Sequence, residues 1–150
     1  MKVVIKKIPE DKTEFAALHV HEETPQTQLI SSYLENEEYN TVIVPCTADG
    51  KIYRIPSDSI YQIESIGNVQ HVHTKEKIFQ TSKKLYELEK MLPVKFVRVN
   101  KSVIMHLNKV RVYTPLANGL MKAELGNGES AYISRKYLKG LRDLIREGLK

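Results

Sequence analysis

The sequence predicts a mainly β fold of antiparallel strands with short helices, plus a small β/α extension at the amino terminus. Three observations carry that expectation. Asp49-Gly50, Asn118-Gly119 and Asn127-Gly128 each offer two residues that tolerate the positive φ of a tight primed hairpin turn. Each pair lies beside short runs rich in Val, Ile, Tyr and Thr, the residues that suit a pleated surface. Helical periodicity, by contrast, is confined to a few short segments.

Taken in order, residues 2–8 and residues near 14–21 read as strands. Thr24 reads as a helix cap with Pro25 in the first helical position, where its missing N–H costs nothing. Leu29, Ile30 and Leu34 line the apolar side of that helix, and the acidic residues 35–38 end it. A boundary at Tyr39-Asn40 divides an extension, residues 1–40, from a main domain, residues 41–150. In the main domain, residues 41–46 and 51–55 flank the first turn, and 110–114 and 120–125 flank the second. Residues 130–133 follow the third turn, while Ile60, Ile63 and Ile66, then 69–74 and 77–81, add extended segments. Ser82 is placed to cap a helix reaching Met91, with Leu85, Leu88 and Leu92 on one face and Pro93 as the stop. Ser134 is placed to cap a last helix carrying Leu138, Leu141, Ile145 and Leu149.

A chain of 150 residues suits one principal core, and 41% hydrophobic with 27% charged residues suits a soluble globular protein. No apolar run is long enough for a transmembrane helix, and Lys6-Lys7 interrupts the first apolar residues too early for a secretory signal, so a cytoplasmic location is expected. Cys46 is the only cysteine, which excludes an intrachain disulfide and any zinc site built from several thiolates. Charge is unevenly spread. Residues 1–50 hold four Lys against nine acidic side chains, a net −5, and residues 51–150 hold nineteen basic against nine acidic, a net +10. A basic module of that size points to a polyanionic partner, because cations that neutralise phosphates release condensed counterions.

His19 with His21, and His71 with His73, stand two apart, a spacing that puts both rings on one face of a strand. The pairs lie about fifty residues apart with no carboxylate at ligand spacing, so surface or core histidines are the better reading and no metal or other cofactor is expected. An enzyme is not expected either. The chain has no glycine-rich phosphate loop, no His-Glu-x-x-His stretch and no recognisable nucleophile–base pair. Cys46 reads as a small buried hydrophobe.

The most specific stretch is Phe96-Val97-Arg98-Val99-Asn100-Lys101-Ser102-Val103-Ile104-Met105-His106-Leu107-Asn108-Lys109-Val110, in which apolar residues alternate with cations. Alone it would suit an ordinary amphipathic strand with a polar loop. Ahead of it stand Ile60-Tyr61-Gln62-Ile63-Glu64-Ser65, and then Lys83-Lys84-Leu85-Tyr86-Glu87-Leu88-Glu89 with Leu92-Pro93. After it stand Asn127-Gly128 and Ser134-Arg135-Lys136-Tyr137. In that order these motifs resemble the LytTR-type DNA-binding domain of bacterial response regulators over roughly residues 50–146. Two positions depart from the family, which usually has His where this chain has Asn100 and Asn where it has His106.

The resemblance implies an elongated fold of small stacked antiparallel sheets, whose loops enter successive major grooves of double-stranded DNA. It implies base contacts at Gln70, Lys101 and Lys136, side chains that can pair with adenine or donate to guanine. Arg98, Ser102, Lys109 and Arg135 suit phosphate instead, which positions without reading sequence. A solvated surface side chain is the alternative at each. Forty residues are too few for a phosphoacceptor receiver domain, so the chain resembles the short stand-alone LytTR regulators. Those are often encoded beside a small membrane protein thought to restrain them, and no small-molecule substrate is implied. The acidic extension is expected to mediate homodimer formation rather than to face phosphate. A transcriptional regulator is therefore the leading reading. The alternative is a basic adaptor for a protein or RNA partner, which the absence of Trp and the placing of Tyr and Phe within apolar patterns disfavour.

Overall fold

The computed structural model describes residues 1–147; Leu149, assigned above to the last helix, lies outside the described residues. The chain divides into two compact units, Met1–Tyr39 and the remainder from Asn40 onward.

The first unit contains helix α1, Pro25–Glu35. Its amino end forms as the sequence dictates: Thr27 N–H donates to Thr24 Oγ1 at 3.2 Å, and Thr24 N–H donates to Thr27 Oγ1 at 2.8 Å. This is a capping box in which Thr27 takes the position usually held by Glu or Gln. The strands expected at residues 2–8 and 14–21 are absent, and that expectation is corrected: residues 1–24 form no strand. A short β-prone run alone does not make a strand, because its N–H and C=O groups need a neighbour, and an isolated pair of short strands is marginal in water. No residue of α1 is buried.

The second unit is mainly β. Strands β1 (Ile43–Ala48), β2 (Lys51–Pro56), β3 (Gln62–Ile66), β4 (Val69–His73), β5 (Ile78–Thr81), β6 (Phe96–Asn100) and β7 (Val103–His106) form one sheet in the order β2-β1-β5-β4-β3-β7-β6. Strands β8 (Val110–Pro115), β9 (Met121–Leu125) and β10 (Ser130–Ile133) form a second sheet in the order β10-β9-β8. Every pairing is antiparallel. Helix α2 (Leu85–Met91) and helix α3 (Arg135–Glu147) complete the unit. The cap of α2 is Lys84 rather than Ser82, with Glu87 Oε2 accepting from Lys84 N–H.

The turn residues explain the connections. Asp49 and Gly50 both have positive φ, 54° and 73°, as a primed turn requires. Asn127-Gly128 behaves differently, since only Gly128 is left-handed, at φ 87°, and the bond from Leu125 N–H to Glu129 O at 2.8 Å closes a three-residue loop.

Two apolar clusters fill the unit where the composition suggested one. Val44, Cys46, Ile63, Val72 and Ile104 pack with Leu85 and Leu88 of α2, whereas Val97, Val99, Val103 and Met105 pack with Ala123, Ile133 and Leu138. All four β7 residues are buried, so this strand supplies both clusters, Ile104 to one and Val103 with Met105 to the other. Each fully buried Ile or Leu contributes about 1.5–3 kcal/mol. β7 is therefore the fixed reference against which the adjoining turns are held.

Candidate nucleic-acid interface

Three pieces of the second unit meet at one end of its sheets. The β6–β7 connection is a two-residue turn, Lys101-Ser102, closed by the pairing of Asn100 with Val103. It folds tightly because Asn100 Oδ1 accepts from Ser102 N–H at 2.9 Å and from Ser102 Oγ at 3.1 Å, a side-chain turn that Asn makes readily. A bulge between Arg98 and Asn100 leaves Val99 without a partner on β7, and Val99 O accepts from Ser134 N–H at 2.9 Å. Asn100 Nδ2 donates to Tyr132 O at 2.9 Å. The turn is thus tied to β10 and to the start of α3. On its other side Ser65 N–H donates to Ser102 O at 2.7 Å, which brings the β3–β4 turn, Gly67-Asn68, alongside.

Helix α3 begins at Arg135, with Ser134 O accepting from Tyr137 N–H and Leu138 N–H at 3.1 and 2.8 Å. Arg135 and Lys136 are exposed, as is Lys101. The Arg135 side chain lies across Gly119 so closely that a Cβ there would stand 2.8 Å from Arg135 Cδ, and Gly119 also has φ +77°. A side chain at 119 would therefore both strain the turn and displace the guanidinium. The helix start supplies further positive partial charge beside these cations.

The structure brings Lys101, Ser102, Arg135 and Lys136 together and leaves three of the expected residues elsewhere. Gln70 is not in a loop. It lies on β4, where strand alternation puts it on the core side with Val72; it is 2% exposed, and its Nε2 donates to Lys83 O at 2.8 Å. The expected exposed loop placement of Gln70 is therefore corrected: it is a buried strand residue with its amide engaged. Lys109 stands at the far end of β8, next to Gly126, with its Nζ 5.1 Å from the centre of the Tyr61 ring. The six residues of β8 put it roughly 17–20 Å from the Arg135 end. Arg98 is half-buried and turned inward: Nε donates to Asn100 O at 2.9 Å, Nη2 to Lys101 O, and Nη1 pairs with Glu89 of α2.

The Gly67-Asn68 turn also presents an exposed amide, Asn68, which the motifs do not single out. The signal was there, since Gly-Asn between two β-prone runs marks a hairpin, and Gly67 has the positive φ, 62°, of its first turn position.

The remaining candidates have internal roles. His106 Nδ1 accepts from Asn108 N–H at 3.1 Å and caps the short 3-10 turn Leu107–Lys109, the work an Asn would do there. Burial, then the Lys109 and Lys95 charges, lower its pKa from 6.5 to about 4 despite Asp58. His73 is buried against Glu129, whose other carboxylate oxygen accepts from Asn127. Among the described residues no group of three or more His, Cys, Asp or Glu is placed to hold a metal ion. Cys46 is buried, which pushes its thiol up to about 11 and leaves it un-ionised at neutral pH. No described helix is long and apolar enough to cross a membrane.

Comparison with known proteins bears on this surface. The family model described as the LytTr DNA-binding domain matches residues 50–146. Two similar proteins are both named uncharacterized HTH-type transcriptional regulators, from Staphylococcus aureus strains bovine RF122 / ET3-1 and NCTC 8325 / PS 47. Each is 30% identical over 97 residues, which are 65% of this chain and 66% of the relative, so the match spans just under two thirds of their length. Among solved structures, the chain is similar to the LytTr DNA-binding domain of a Bacillus cereus protein described as a methyl-accepting/DNA response regulator. The TM-score is 0.66 at 22% identity, covering 69% of this chain and 95% of that one, a likeness of fold.

Proposed function

The chain belongs to the LytTr DNA-binding domain family, and from that premise we propose that it is a sequence-specific transcriptional regulator that reads double-stranded DNA in the major groove. The observation that carries the proposal is the convergence of Lys101 on its turn with Arg135 and Lys136 at the start of α3, all exposed, on backbone tied together by the Ser65–Ser102, Asn100–Tyr132 and Val99–Ser134 hydrogen bonds. Lys101 and Lys136 are assigned to base edges, where an ammonium donates to guanine O6 and N7. Arg135 and Ser102 are assigned to phosphate. Arg98, Lys109 and Gln70 have no part in the contact. The chain has no Trp, and Tyr61, Phe79 and Phe96 pack internally while Tyr132 of β10 is half-exposed, so few rings are free to stack on single-stranded bases and duplex suits the surface better. Titrating the full chain with a random duplex and with single-stranded RNA at several salt concentrations tests the partner class. Duplex binding should be tighter, and log K should fall with log salt by about 0.9 for each phosphate neutralised. Tighter RNA binding would support the adaptor reading.

The proposal includes a homodimer formed through residues 1–40. Leu29 is 71% exposed and Phe15 83%, and Ile30 is also exposed, an apolar content that a second copy would cover. Two modules on one duplex would gain affinity from effective concentration alone. In the full chain, Leu29→Lys with Ile30→Lys should convert a sedimenting dimer to a monomer at tens of micromolar. A wild-type chain that is already monomeric there would refute this assignment.

A further inference from the structure

We propose that Arg98 and Glu89 form a clamp that sets the position of the Lys101 turn from helix α2, making both residues specificity-determining without touching DNA. This rests on the reading of Lys101 as a base contact. The β6 bulge turns consecutive carbonyls of the hairpin, Asn100 O and Lys101 O, toward the Arg98 side chain, and a single guanidinium satisfies both, through Nε and Nη2. The planar fork of Arg holds its donors at fixed angles, so the two bonds define the position of the turn as well as its stability; an ammonium cannot do this. The remaining Nη1 is anchored to Glu89 Oε1 on α2. That helix is itself fixed by buried Leu85 and Leu88, which share a cluster with Ile104 of β7.

The chain of contacts therefore runs from the core, through α2 and Glu89, to Arg98 and then to the backbone carrying Lys101. On the opposite side, Asn100 holds the same turn to Tyr132 and Ser102 holds it to Ser65. The turn is gripped from three sides, and only the Arg98 grip uses charges. Arg98, in a place that sequence assigns to phosphate, spends three of its donors internally, and its nearest counter-charge is a carboxylate that would repel DNA. Displacing a base contact by an ångström sacrifices the directional bond and keeps the charge, so loss of the clamp erodes discrimination more than affinity.

The two roles separate cleanly in Glu89→Gln and Arg98→Gln, measured as full-length proteins on a duplex recovered by selection from a random pool and on its scrambled counterpart. Under the clamp, the ratio of affinities for the two duplexes falls about threefold for Glu89→Gln and about tenfold for Arg98→Gln, with scrambled-duplex binding and the salt slope nearly unchanged. If Arg98 instead contacts phosphate, Glu89→Gln releases it and strengthens binding to both duplexes, while Arg98→Gln weakens both and lowers the slope by about 0.9. That result overturns the proposal, as does an unchanged ratio in both variants. Glu89 is on the solvent side of α2 and Gln matches it in size, so its substitution leaves the fold intact and keeps the test decisive even if Arg98→Gln is unstable. Failure of the wild type to distinguish the duplexes would remove the base-contact reading itself, an outcome distinct from a wild type that discriminates and variants that still do.

Discussion

Lys101→Ala is expected to weaken binding to a selected duplex by about 5- to 150-fold, the equivalent of roughly 1–3 kcal/mol, with a much smaller loss on scrambled DNA. Lys101 is exposed at the tip of a turn whose neighbours on both strands are buried, and its backbone is held from β3, β10 and α2 by the bonds of Ser102, Asn100 and Arg98. Because the backbone of the turn is already fixed, contact costs ordering of the Lys101 side chain alone, and its removal takes away the surplus of the interaction over that cost. Arg135→Ala serves as the contrast. It should weaken selected and scrambled duplexes by similar factors and reduce the salt slope by about 0.9, as loss of one phosphate contact does. Equal losses on both duplexes for Lys101→Ala would place that residue among the phosphate contacts.

Stability should fall as pH drops from 6.5 toward 4, and much of the fall should vanish in His106→Asn. His106 is buried with its pKa lowered to about 4, chiefly by burial, so the unfolded chain takes up a proton below about 6.5 that the folded chain resists. Above 6.5 both states are neutral at this residue and it contributes no slope. Between 6.5 and 4 the unfolded state gains, by at most about 3 kcal/mol at about 1.4 kcal/mol per pH unit. Asn retains an oxygen acceptor for Asn108 N–H but does not titrate, and it gives up the ring contact with Phe96, whose centre lies 4.4 Å away. The variant should therefore start lower in stability at pH 7 and lose less on acidification. Denaturant unfolding of both proteins at pH 7 and pH 5 reads this directly, and parallel losses would show that His106 is not the group concerned.

The parts of this molecule that were legible in the sequence are those decided by local chemistry. Asp49-Gly50 announces its hairpin because few other pairs accept two positive φ angles, and Thr24-Pro25 announces a helix start for an equally local reason. Motif order put Lys101 in a turn and Arg135 and Lys136 at the start of the last helix, and the structure has them exposed there; their exposure was legible for that local reason. What failed depended on partners distant in sequence. Residues 2–8 are β-prone yet form no strand. Gln70 was expected at a base from family resemblance by position, whereas the Gly67-Asn68 turn sets the register of β4 and sends residue 70 inward. Arg98 and Lys109 carry cationic charge, but only the fold reveals that one bonds backbone carbonyls and Glu89, and that the other lies at the opposite end of β8 from Arg135. The departures at Asn100 and His106 likewise become intelligible only in three dimensions, where both serve as hydrogen-bonding centres for turns.

The central claim is that one end of the β unit reads base sequence, and repeated selection of random duplex DNA by the full-length chain tests it most directly. The account predicts enrichment of a defined sequence, with bases whose identity ceases to matter when the selection is repeated with Lys101→Ala. A pool that stays random after several rounds, at a salt concentration where the protein still retains DNA, would contradict it.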